Sequence, residues 1–163
     1  MKKEGFTLVE LLAVIAILAI LIILALPNIL DIFNNSQKNS FKIEVQTIYR
    51  TAQQEFLING GSSVSFYRSN GTACTTQGNP IESLALEGNT ELDYFINIDS
   101  NGDITALYAK NDGYSFFYEG GAGSSGLNIE DIDDTVPVTV NADNSEALKE
   151  VETAIENACK AQS

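Results

Sequence analysis

Histidine is absent from the 163 residues, which removes His-based triads, His-ligated zinc and imidazole acid–base catalysis. Cysteine is scarce: Cys74 and Cys159 are the only two, too few for a disulfide-dense scaffold or a four-cysteine metal site. Basic charge is scarce as well, with 9 Lys and Arg against 22 Asp and Glu and a formal charge of −13. The first five residues, Met-Lys-Lys-Glu-Gly, hold two of the Lys and one Glu, so the remainder carries 7 basic against 21 acidic side chains, or −14. A body of that sign has no electrostatic footprint for nucleic acid and is repelled by anionic lipid. No nucleophile-and-base pair, Gly-rich phosphate loop or basic-aromatic patch is present. An enzyme is not expected, and no cofactor is implied.

Apolar residues are present and concentrated. From Phe6 to Leu26 every residue is apolar or small except Thr7 and Glu10. As a helix this run rises roughly 32 Å, against a hydrocarbon core of about 30 Å, and so reads as one spanning helix. Lys2 and Lys3 hold its start on the cytoplasmic side and send the rest of the chain to the outer face. About 137 residues follow Leu26, enough for one modest core. An ordinary secretory signal peptide is the alternative, but its apolar run is shorter and a small-x-small cleavage site follows it, which Ala25-Leu26-Pro27-Asn28 matches poorly. Glu10 argues most strongly against that alternative. A carboxylate inside a spanning run is costly, and such groups mark function and call for a partner; a side chain that merely snorkels to the interface is the alternative.

The basic leader ending in Gly5, the stretch Phe6-Thr7-Leu8-Val9-Glu10 and an apolar helix interrupted by Pro27 resemble a type IV prepilin. The resemblance covers roughly the first 30 residues and leaves the other four-fifths untouched. It implies cleavage between Gly5 and Phe6 by a prepilin peptidase/methyltransferase, and N-methylation of the new amino group of Phe6. Gly5 suits a close protease approach because it has no side chain. The resemblance also implies that Glu10 neutralises the Phe6 ammonium of a neighbouring or its own subunit, fixing the axial stagger as helices leave lipid and pack. Pro27 would mark a kink that can open during assembly. The implied partners are copies of the same chain in a helical filament, the pilus assembly machinery and, before assembly, the membrane; direct nucleic-acid contact is not expected. The implied function is a structural subunit of a surface pilus serving adhesion, motility or biofilm. A minor pilin or pseudopilin of a secretion or competence machine, or a membrane-anchored surface protein that never polymerises, are the alternatives.

Beyond Pro27, Leu30, Phe33, Phe41, Val45, Ile48, Ala52 and Phe56 fall on a helical stripe that a head domain should cover, and Asn59-Gly60-Gly61 supplies the stop. The texture then changes. Three stretches, from Leu92 to Ile98, Ile104 to Ala109 and Tyr114 to Tyr118, are rich in β-branched and aromatic residues with hairpin-like links between them. Val64 to Tyr67 and Val136 to Val140 offer further short strands, Pro137 confining the latter to an edge or a strand start. Leu148, Val151, Ile155 and Ala158 read as a closing helix. The expected class is α+β: a leader at 1–5, a transmembrane and assembly helix at 6–26, an amphipathic helix at 27–59 and a head at 60–163. Within the head a sheet is expected at about 92–118, a loop at 119–142 and a helix at about 144–161.

Cys74 and Cys159 would face an oxidising exterior, and the resemblance implies a disulfide between them; free thiols are the alternative. Asp99, Asn101 and Asp103 mimic part of a calcium loop, but the glycine is misplaced and no Glu follows at the twelfth position, so a hairpin turn is expected. Glu130, Asp131, Asp133 and Asp134 could gather a cation, with a solvated surface as the plainer reading.

Overall fold

The computed structural model describes residues 7–69, 75–76, 79–80, 82–86, 92–120, 126–132, 137–141 and 146–161. The fold is α+β: a long amino-terminal helix, a five-stranded antiparallel sheet and a carboxy-terminal helix. Helix α1 covers Leu8–Ile58 and runs through two units, Met1–Gln37 and Lys38–Ser163.

In the first unit the helix is exposed on every side from Leu8 to Pro27, and apolar there apart from Glu10. An all-round apolar surface, rather than a single stripe, belongs to a helix surrounded by lipid or by other helices. Among the described residues α1 is the one helix long and apolar enough to cross a membrane. It continues through Pro27 and bends at residue 28. The proline has no N–H to offer the Ile23 carbonyl, and its ring crowds the preceding turn, which accounts for the bend. Leu30 and Phe33, expected at the start of the buried stripe, are 55% and 58% exposed. The buried part of the stripe starts at Phe41.

In the second unit the stripe is core. Phe41, Val45, Ile48, Tyr49, Ala52 and Phe56 recur at steps of three and four and one, and all are buried. The helix ends in a Schellman motif: the Gly61 N–H donates to the Phe56 carbonyl at 3.0 Å and the Gly60 N–H to Leu57 at 3.3 Å. Both glycines sit at φ +75°, a conformation that a side chain at Cβ disfavours.

Strand β1 covers Val64–Arg68. A separate two-stranded ribbon follows, with β2 at Thr75–Thr76 and β3 at Asn79–Pro80. The meander comes next: β4 at Asp93–Ile98, β5 at Ile104–Lys110 and β6 at Tyr114–Glu119, with β7 at Thr139–Val140. The main sheet has the order β1-β4-β5-β6-β7, antiparallel throughout. Pro137 lies just ahead of β7, an edge strand, as a residue without an N–H requires. In the β4–β5 pairing, Asn97 faces Ala106 while Ile98 faces Ile104, so Thr105 is an extra residue. This bulge lets Ile104 and Leu107, three apart, enter the same core.

The turn from β4 to β5 is organised by Asp99, whose carboxylate Oδ1 accepts from the N–H groups of Asp103 at 3.0 Å and Asn101 at 2.8 Å. Those bonds hold the Asp99 carboxyl below its usual range. Gly102 sits at φ +91°, and a Cβ there would come within 3.1 Å of the Phe56 ring. The segment is a hairpin turn closed by its own side chain.

Both faces of the sheet are covered. On one, Phe66, Tyr94, Ile96, Ile98, Leu107 and Phe116 form a core with the α1 stripe. Tyr94 is fully buried, and its hydroxyl accepts the Leu84 N–H at 2.8 Å. On the other face, Tyr67, Phe95, Tyr108 and Phe117 stand in one row across four strands and meet Val151 and Ile155 of α2, Glu146–Ala161. Stacked ring pairs link that row, with Phe95 to Tyr108 at 5.9 Å and Tyr108 to Phe117 at 5.0 Å. Between β6 and α2, the described residues include a 3₁₀ turn at Ile129–Asp131 and three buried side chains, Leu127, Ile132 and Val138. The expected loop therefore contributes to the core.

Candidate processing and assembly site

The first turn of α1 is built from Thr7-Leu8-Val9-Glu10, the spacing of a capping box. Thr7 stands just ahead of the helix and Glu10 three residues into it. The Glu10 N–H donates to Thr7 Oγ1 at 3.3 Å. In return the Thr7 N–H and the Thr7 hydroxyl both donate to Glu10 Oε2, each at 2.8 Å. Two backbone donors of the helix start are thus satisfied reciprocally, by residues exposed in the single chain. Both bonds fall on one carboxylate oxygen; among the described residues the other, Oε1, has no partner. The carboxylate is fixed in direction and half available.

Sequence reading singled out Glu10 but not Thr7. A Ser or Thr three positions before a Glu, directly ahead of an apolar run, was the signal that identifies it. Gly5 and Phe6 lie outside the described residues, as do Cys74, Asp133 and Asp134. Cys159 is half-buried on α2 beside the aromatic row. Glu130 and Asp131 belong to the 3₁₀ turn, where the Asp131 carboxylate accepts the Asn128 N–H at 3.1 Å and its side-chain amide at 3.2 Å. Among the described residues no group of three or more His, Cys, Asp or Glu could hold a metal ion.

The comparisons with known proteins concern the same end of the chain. Residues 1–26 match the family model described as "Prokaryotic N-terminal methylation motif". No curated protein and no solved structure matches the chain. The matched motif is a class III signal peptide and implies processing by a prepilin peptidase. The apolar helix behind it is consistent with a membrane-anchored prepilin, and proteins of this family are generally structural rather than enzymatic. The chain is a type IV pilin-like protein that carries the N-terminal methylation motif of the type IV pilin and pseudopilin family.

Proposed function

We propose that the chain is a structural subunit of a type IV pilus, cut between Gly5 and Phe6, N-methylated on Phe6 and polymerised through its amino-terminal helix into a surface filament. Residues 1–5 then serve as the leader, 6–26 as the membrane and assembly helix, 27–59 as the amphipathic helix and 60–163 as the displayed head. The observation that carries this reading is Glu10: a carboxylate on the apolar, exposed first part of α1, one oxygen held by Thr7 and the other open. An acid in that position is tolerated where a cation meets it, and cleavage creates one at Phe6. The ammonium of Phe6 and the open Glu10 oxygen attract more strongly among packed helices than in water. Only one axial register brings them together. The exposed apolar surface supplies the rest of the association, since stacking of helices removes it from water once subunits leave the bilayer. The acidic head has no electrostatic footprint for nucleic acid, and adhesion, motility or biofilm is the service proposed for the filament.

Sheared surface fibres tested by immunoblot and staining are expected to contain the processed chain as their main protein. Fibres without it, on cells that make it, would overturn the proposal. We further propose that Cys74 and Cys159 pair on the outer side of the membrane. In the chain-entropy model such a bond is worth about 4–5 kcal/mol. Denatured fibre protein is expected to show no titratable thiol before reduction and two per chain after it; two thiols beforehand would contradict the pairing.

A further inference from the structure

Just past the bend at residue 28 the surface of α1 changes character. Before it, the helix is apolar all round apart from Glu10. After it, Ile29, Leu30, Ile32 and Phe33 are 58%, 55%, 69% and 58% exposed, but they are interleaved with Asp31, Asn34 and Asn35. At 3.6 residues per turn the four apolar side chains share an arc of about 160°, and the three polar ones occupy the opposite arc. Residues 29–35 therefore form a two-faced segment, and no described residue of its own unit, Met1–Gln37, covers the apolar face.

Length and position say what covers it. A helix that is apolar all round suits the hydrocarbon core, whereas a one-sided helix suits the plane between hydrocarbon and water. The run from Phe6 to Leu26 already uses up the core, and Ile29 lies about 5 Å further along the axis, inside a headgroup layer roughly 5–7 Å deep. A straight helix would carry Phe33 to about 10 Å beyond Leu26 and out of that layer. The bend at residue 28 falls between the two kinds of surface and allows the second to lean over instead of standing upright. No Lys or Arg occurs from Asn28 to Gln37, so contact with lipid there depends on burial of apolar side chains and not on attraction to lipid charge.

We propose that, before assembly, residues 29–35 are an interfacial lipid-binding segment on the outer surface of the membrane, with Ile29, Leu30, Ile32 and Phe33 sunk at the boundary of headgroups and acyl chains and Asp31, Asn34 and Asn35 turned to water. The inference rests on the reading of residues 6–26 as the membrane helix and adds to it a second, shallower contact. The partner is the lipid surface itself. Its hold on Phe33 must be given up when a subunit is drawn out, so the segment adds to the resistance against extraction.

The test uses tryptophan, which the chain lacks, as a single reporter of depth. The full chain is reconstituted in phosphatidylcholine vesicles at low protein-to-lipid ratio as three variants: Phe33→Trp on the apolar arc, Asn35→Trp on the polar arc and Leu18→Trp in the middle of the span. Acrylamide in the water phase is expected to quench Phe33→Trp at least about threefold less than Asn35→Trp. Lipid brominated next to the headgroup is expected to quench Phe33→Trp more than Asn35→Trp, and lipid brominated at the chain end is expected to quench Leu18→Trp most. Equal access of acrylamide to positions 33 and 35, with position 18 shielded, overturns the interfacial segment and leaves the span standing. Position 18 open to acrylamide overturns the span and the segment with it. Shielding of position 33 that arises only at high protein-to-lipid ratio assigns the apolar arc to a second copy of the chain and likewise overturns the proposal.

Discussion

Glu10→Ala is expected to leave cleavage after Gly5 intact and to abolish filaments, with surface fibre yield falling by about tenfold or more. The peptidase acts on backbone upstream of Phe6, whereas Glu10 lies in the first turn of α1 with its carboxylate turned back to Thr7. Alanine removes two things at once, the reciprocal cap and the negative charge. Glu10→Gln separates them. A glutamine at the third helical position still closes a capping box, but it cannot neutralise an ammonium. If charge pairing is what assembly needs, Glu10→Gln fails as Glu10→Ala does. Normal fibres from Glu10→Gln would assign the residue to the cap alone, and normal fibres from both variants would refute its role in assembly. The comparison is read by electron microscopy of the cells and by a blot of processed against unprocessed chain.

The second large effect is in the head. Phe116→Ala is expected to destabilise it by about 3–5 kcal/mol, because Phe116 is fully buried between the sheet and the α1 stripe and its removal leaves a cavity. At a few degrees per kcal/mol, the head's thermal transition should fall by roughly 10–20 °C. Val140→Ala is the control, at 62% exposure on the edge strand, with a change within about 0.5 kcal/mol. Circular dichroism of the detergent-solubilised chain reads both variants. A Phe116→Ala protein melting with the parent would contradict the placement of that core.

The parts of this fold that repeat a local rule were legible from the amino acids. The stripe from Phe41 to Phe56 keeps helical steps, and Gly60-Gly61 forms the stop at φ +75°. The three central strands are short, aromatic and joined by turns that Asp99 and Asn111 organise through their own side chains. What required the fold was the second covered face. Tyr94-Phe95-Ile96 and Leu107-Tyr108-Ala109 are buried at every position, and unbroken apolar runs of that kind mark strands covered on both sides. Only the packing of α2 on the aromatic row gives the runs their meaning. Leu127, Ile132 and Val138 were harder still, because each is an isolated apolar residue whose burial depends on where neighbouring chain lies, not on any period. Leu30 and Phe33 show the reverse error. Their spacing continues the stripe, yet a matching period does not guarantee a partner, and both remain exposed.

At the amino-terminal site, residue type and position were legible and direction was not. An acid in an apolar run announces a partner, but the sequence does not say that Thr7 already holds one of its oxygens. That detail fixes which way the carboxylate points before any second subunit arrives.

The most direct measurement is mass spectrometry of the amino-terminal peptide from the chain recovered at the cell surface. The account predicts that it begins at Phe6 and carries one extra methyl group on the amine, with Met1 to Gly5 gone. A surface chain that still begins at Met1 would contradict it.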